Sequence, residues 1–382
     1  FRRVLFRSYR FKMSSGLGTL IFVPLVLAGL WIGDLLPLTA DLIPPFLGSA
    51  KNTWALVLMI YCLFAAMLPV WVLLQPRDYL AAYLLYACLI GGAVGLVASG
   101  LTGRVAVTYP ALLGLTHAKM GFIFPALFVT IACGAVSGFH SIVSSGTSAK
   151  QLDRESSARA IGYGSMLVEG VLALLAVATV MILARAPAGQ TPVVTFGQGL
   201  GRFVEILGMP PAHAATFAMM AVSTFLLTTL DACTRLARFI VEEIAGTGNR
   251  FAPRLLATLG VLVVPALVVF RQIAGPDGKP MPAWQAIWPA FGASNQLLAA
   301  LALLVVYGWL KREGRRTTFV LIPMVFMCIT TMTALAQLAW KNLAHGGSGF
   351  IGGLSVVLFV LAAVVIANVL ATTRRVHVAP AA

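Results

Sequence analysis

Apolar residues run along this chain in blocks of about 20, separated by short polar connections. The blocks fall near residues 17–38, 53–74, 79–100, 121–142, 162–183, 213–240, 252–271, 284–310, 319–340 and 350–371. A helix rising ~1.5 Å per residue crosses a ~30 Å hydrocarbon layer in about 20 residues, so each block is long enough for one crossing. The pattern predicts an all-α fold: a polytopic transmembrane helix bundle of about 10 spans. The membrane domain covers 17–371, with a tail at 1–16 and another at 372–382.

Two of these blocks are interrupted. The fourth runs into AVSGFHSIVSSGTSA, residues 135–149, where five serines, two glycines, a threonine and a histidine follow one another closely. Such a stretch cannot comfortably remain a lipid-facing helix. Irregular backbone at membrane depth is tolerated only where protein or a water-filled cavity satisfies its N–H and C=O groups. The eighth block opens IWPAFGASNQLL, in which Pro289 removes a backbone donor and Gly292 weakens the helix, so a second discontinuity is expected over 289–296. Asn295 and Gln296 also suit a plain interhelical clamp. Paired broken helices are how secondary transporters build substrate sites. The predicted substrate-binding residues are therefore Gly134, Ser137, Gly138, His140, Ser144, Ser145, Gly146 and Thr147 from the first break, with Gly292, Ser294, Asn295 and Gln296 from the second. Free N–H groups where the first helix resumes would attract an anion such as a carboxylate.

Ionisable residues within apolar blocks are the next candidates, because they are costly in a membrane and usually face a bundle interior. Asp231 follows more than a dozen mostly apolar residues and shares a helical face with Arg235 and Arg238. Its bland role is a salt bridge to Arg235; its functional role is to bind a coupling cation or proton, with Thr228 and Thr229 offering hydroxyls. Glu169 is the one acid in IGYGSMLVEGVLALLAV, expected to face protein, either as a structural partner or as a proton carrier. His140 has the pKa range of a proton acceptor. Gln75, Pro76, Arg77 and Asp78 form a structural corner between the second and third blocks.

Composition agrees with a membrane protein. Hydrophobic residues make up 59% of 382 positions and charged residues 10%, with a mean hydropathy of +0.93, which excludes both a soluble globular chain and a disordered one. Of the 27 Lys and Arg, nineteen fall in alternate loops and eight on the other side: Lys51, Arg104, Lys119, Arg185, Arg202, Arg271, Lys279 and Lys341. Cytoplasmic loops hold the basic excess, which predicts both termini inside. The chain opens FRRVLFRSYRFKM without an initiator Met, as a fragment or an assembly artefact would. With its five basic residues left out, fourteen against eight still give the same orientation. The net charge of +15 lies in short loops facing anionic lipid, so no nucleic-acid partner is expected. Cys62, Cys88, Cys133, Cys233 and Cys328 lack the spacing of a zinc site and are read as small hydrophobes. No nucleotide-binding or metalloprotease motif occurs, and no cofactor is expected.

Five strings, in order, resemble the carbon starvation protein (CstA) family of bacterial membrane transporters: LPVWVLLQPRDYL from Leu68, ACGAVSGFHSIVSSGTSAKQL from Ala132, ARAIGYGSMLVEG from Ala158, LTTLDACTRLARF from Leu227 and WPAFGASNQLLAALAL from Trp288. The resemblance implies a transporter of the bacterial inner membrane that takes up nutrients under carbon limitation. It implies peptides or pyruvate as substrates, coupling to a proton or cation gradient, and a fold distantly similar to amino-acid and polyamine transporters. Family members carry a further N-terminal membrane region with a Gly- and Pro-rich broken helix; nothing matching it precedes Trp54, so the resemblance implies a chain lacking the N-terminal part. The partners expected are a small-molecule substrate, a coupling ion and the lipid bilayer; the sequence does not set an oligomeric state.

The expected function is thus a secondary active transporter and not an enzyme. The alternative is an intramembrane serine hydrolase with a serine near Gly138 and His140 as base, weakened because the adjacent Ser141 would not face His140 on a helix. A passive channel would need a ring-forming charge pattern, which the sequence does not offer.

Overall fold

The structure is a computed structural model and describes residues 15–36, 43–70, 72–112, 114–117, 121–183, 191–246, 250–274, 280–344 and 348–376. Residues 1–14 and 377–382 of the two expected tails lie outside the described residues, as do the loop cations Lys119, Arg185 and Lys279.

In chain order the elements are α1 (Ser15–Leu35), α2 (Ala50–Met67), α3 (Leu74–Leu101), the two-residue strands β1 (Thr116–His117) and β2 (Gly121–Phe122), α4 (Ile123–Ala135), α5 (Gly138–Val143), α6 (Ser157–Met181), α7 (Pro192–Val204), α8 (Pro211–Ala245), α9 (Phe251–Val269), β3 (Gln272–Ala274), β4 (Pro280–Pro282), α10 (Ala283–Arg312), α11 (Thr318–Ala344) and α12 (Gly349–Val376). The strands form two small antiparallel hairpins, and the fold is all-α in character. Among the described residues ten segments are helical, long and apolar enough to cross a membrane. Each matches one of the ten blocks read from the sequence.

The chain divides into two compact units: Phe1–Ala111 with Val171–Arg271, and Leu112–Gly170 with Gln272–Ala382. In the first, α3, α7 and α8 close around Leu84, Cys88, Leu200, Phe203, Ala218 and Ala221. Helix α7 was not expected, because its segment FGQGLGRFV lies in the connection between the fifth and sixth apolar blocks, 162–183 and 213–240. At 13 residues it is too short to span. Its glycines serve packing instead: a Cβ on Gly201 would run into the Pro211 carbonyl, one on Gly199 into Thr179, and one on Gly95 of α3 into the Phe203 carbonyl. Small residues let helix backbones approach this closely.

In the second unit α4, α10, α11 and α12 meet around Val129, Ala293, Leu297, Ala334, Leu335 and Ala362. Here one expectation is corrected. Helix α10 runs without interruption from Ala283 to Arg312 with Pro289 inside it, so the discontinuity expected over 289–296 is not formed. The proline costs one intrahelical hydrogen bond, but α10 packs against α4, α5, α11 and α12, and that packing carries the helix through it. Gly292 serves this contact, its α-carbon facing the Val129 side chain, and Ser294 donates to the Ala290 carbonyl of its own helix at 2.7 Å.

Candidate functional site

The first expected break is present. Helix α4 stops at Ala135, Ser137 adopts an extended conformation (φ −112°, ψ 132°), and the chain rewinds as α5 from Gly138. After six residues the winding loosens to a π-helical turn over Ser144–Ser148 and then tightens to a 3-10 turn over Ala149–Gln151.

The backbone groups that the break frees are met by two consecutive residues of α10. Gln296 is fully buried, and with its amide assigned in the orientation that satisfies both ends it donates to the Val136 carbonyl at 2.7 Å and accepts the Cys133 N–H at 2.9 Å. Asn295 accepts the Phe139 N–H at 2.8 Å and donates to the Ser137 hydroxyl at 3.2 Å. Ser137 in turn accepts the His140 N–H at 3.4 Å and its carbonyl the Ser141 N–H at 3.2 Å. Gly138 is buried directly against α10, where a Cβ would overlap backbone atoms of Asn295 and Ala299. Asn295 and Gln296 therefore form the interhelical clamp, and the α5 amides expected to attract a carboxylate are already taken by Asn295 and Ser137.

What stays open is the C-terminal part of the segment. His140 is exposed, with its ring 6.2 Å from that of Phe139. Ser144 and Ser145 are exposed and Gly146 and Thr147 half-buried, all on the π-helical turn, a distortion often found at functional sites. Ser141 donates to the Gly138 carbonyl at 2.6 Å and Ser145 to the Ile142 carbonyl at 3.2 Å. The Ser141 hydroxyl is thus turned to its own helix, which gives no support to a Ser141–His140 pair of the hydrolase alternative. Glu169 is half-buried beside the break, its Oε1 3.7 Å from where a Cβ on Gly134 would stand.

In the first unit Asp231 is fully buried, as an intramembrane acid should be, but its partner is not Arg235. Arg77 of α3 forms the ion pair with its Oδ2, and the Tyr61 hydroxyl of α2 donates to the same oxygen at 2.9 Å. Arg77 also donates to the Tyr61 oxygen and reaches Asp78 at 3.4 Å. The corner arginine thus turns inward. Arg235 instead donates to the Ala65 carbonyl at 2.5 Å, and Arg238 pairs with Glu242 at 2.9 Å. Thr228 and Thr229 both donate to the Phe225 carbonyl, at 2.8 and 3.1 Å, so neither hydroxyl proton is turned to the carboxylate. Asp231 Oδ1 and Arg77 Nε have no hydrogen-bond partner among the described residues. Sequence reasoning missed Tyr61 and Arg77. For Arg77 there was a signal: a cation one turn inside an apolar helix needs a buried counter-charge.

Compared with known proteins, the chain matches the family described as carbon starvation protein CstA over residues 4–189 and 184–334. It belongs to the carbon starvation protein CstA family. The family match includes the α4–α5 break, the Arg77–Asp231 pair and the clamp of α10. A CstA relative in Escherichia coli K12, a peptide transporter, is 33% identical over 368 residues, covering 78% of this chain and 51% of the relative. The peptide transporter CstA of Bacillus subtilis 168 is 28% identical over 406 residues, covering 93% of this chain and 65% of the relative. The pyruvate/proton symporter BtsT of Escherichia coli K12 is 28% identical over 372 residues, 76% of this chain and 51% of the relative. The chain spans about half the length of the first CstA relatives it matches. No solved structure matches it. With ten apolar helices among the described residues and transporter relatives, this CstA-family chain is a multi-pass membrane protein.

Proposed function

We propose that the protein is a secondary active transporter that takes up peptides or small carboxylates such as pyruvate, coupled to a proton or cation gradient, from the bacterial inner membrane with both termini in the cytoplasm. The observation that carries this is the interrupted, hydroxyl-rich segment α4–α5, whose backbone is satisfied by protein at membrane depth as transporter breaks are. Family relatives named as peptide transporters and as a pyruvate/proton symporter support the substrate class. They also support transport over enzymatic turnover.

The substrate path runs along His140, Ser144, Ser145, Gly146 and Thr147, the side chains of the broken segment that the clamp leaves open. Gly134, Ser137, Gly138, Gly292, Ser294, Asn295 and Gln296 hold that segment in shape. Asp231 couples the ion: its unpartnered Oδ1 accepts a proton or cation, which weakens its pairing with Arg77. Thr228, one turn before Asp231, still offers hydroxyl lone pairs, and Glu169 beside Gly134 is the second group placed to carry charge. The test is uptake of labelled pyruvate or a labelled dipeptide into vesicles under an imposed proton gradient. His140→Ala lowers the rate, and Asp231→Asn uncouples uptake from the gradient. Unchanged gradient-driven uptake in both variants removes both roles.

A further inference from the structure

Three arginines gather where the C-terminal half of α8 meets α9. Arg235 and Arg238 are 2% and 1% exposed, and Arg254 joins them from α9 at a distance where the three guanidinium charges oppose one another. Asp231 is held by Arg77 and Glu242 by Arg238. Arg235 and Arg254 have no carboxylate of their own among the described residues. The buried Nε atoms of all three, and Nη2 of Arg238, have no hydrogen-bond acceptor among the described residues. Buried donors are nearly always satisfied, so a cluster of four left open marks a place where an acceptor belongs.

Beside this cluster lies a cleft of about 450 Å³ lined by Phe64, Met67, Leu68, Phe251 and Arg254. Phe64 and Phe251 are 65% and 72% exposed, in helices that cross the membrane, so the cleft has an apolar wall open to lipid and a cationic end at Arg254. We propose that this cleft binds an anionic phospholipid, its phosphate on Arg254 and its acyl chains along Phe64, Leu68 and Phe251. A guanidinium fork matches phosphate oxygens two at a time. Free phosphate offers the same oxyanion but leaves the apolar wall uncovered. Arg235, Arg238 and Arg254 also lie at the end of the helices that the basic-residue count assigns to the cytoplasm, where anionic headgroups and basic pockets between helices meet. The site is independent of the transport proposal.

The experiment uses the purified chain in a neutral detergent, supplemented with phosphatidylglycerol, with phosphatidylcholine of the same acyl chains, or with inorganic phosphate. Thermal unfolding and native mass spectrometry give the readouts. Phosphatidylglycerol raises the melting temperature and stays bound, whereas phosphatidylcholine and phosphate do neither. Arg254→Gln lowers phosphatidylglycerol retention about fivefold, the loss expected of one basic residue at an anionic headgroup. Arg254→Lys, which keeps the charge, retains more than Arg254→Gln, and Arg316→Gln, which removes an exposed charge elsewhere, retains as much as the unmodified chain. Equal retention of phosphatidylcholine, equal stabilisation by phosphate, undiminished retention in Arg254→Gln or an equal loss in Arg316→Gln would each overturn the proposal.

Discussion

Two polar clusters sit within the membrane-crossing helices, and they solve the same problem in opposite ways. In the second unit the break between α4 and α5 is closed by neutral amides, with Gln296 and Asn295 meeting the freed groups of Cys133, Val136 and Phe139. In the first unit Asp231 is met by a full positive charge and a phenol, yet one of its oxygens stays without a partner. A neutral clamp has one low-energy arrangement and fixes geometry. A charged pair with spare valence can exchange partners, as the ion coupling proposed for Asp231 requires.

The contrast predicts unequal costs. Arg77→Leu strands a buried carboxylate and destabilises the protein by about 3–5 kcal/mol, whereas Arg77→Leu with Asp231→Leu recovers most of that loss, because an apolar pair of similar size replaces a buried ion pair nearly neutrally. Unfolding of the single and double variants in detergent checks this. A double variant as unstable as the single one would mean that Asp231 draws nothing from Arg77. On the neutral side, Gln296→Leu leaves the Cys133 N–H and Val136 C=O unmet and costs about 2 kcal/mol, less than the charged case because no ion is stranded. A loss in Gln296→Leu as large as in Arg77→Leu would erase the distinction between the clusters.

The spans were legible because length and apolarity alone decide whether a helix can cross a membrane, and the first break because glycine and serine crowd where lipid offers backbone no partner. Pro289 misled for a tertiary reason: α10 is gripped by four other helices, and Asn295 and Gln296 lie on an unbroken helix from which they satisfy backbone of another segment. The glycines of α7 misled in a similar way, since Gly199 and Gly201 look like loop residues until Thr179 and Pro211 are seen to fill the space a side chain would take. Asp231 was recognisable as buried, but its partners stand 154 and 170 residues away in sequence. A helical face shows only neighbours three or four positions off, so Arg235 looked like the partner when Arg77 was.

The smallest stability effect falls on the open end of the broken segment, and there the two measurable quantities separate. Ser144 is exposed and Thr147 half-buried on the π-helical turn, so neither anchors the clamp. Ser144→Ala and Thr147→Val should each change stability by less than about 0.5 kcal/mol, as substitutions away from packed or buried polar groups do. If the turn contacts substrate, the same variants lower gradient-driven uptake severalfold while unfolding is unmoved. Gln296→Leu would lower uptake only along with stability, because it acts by letting the segment shift. Should Ser144→Ala and Thr147→Val leave uptake untouched, the substrate path would have to run elsewhere, and the break would stand as a purely structural accommodation between α4, α5 and α10.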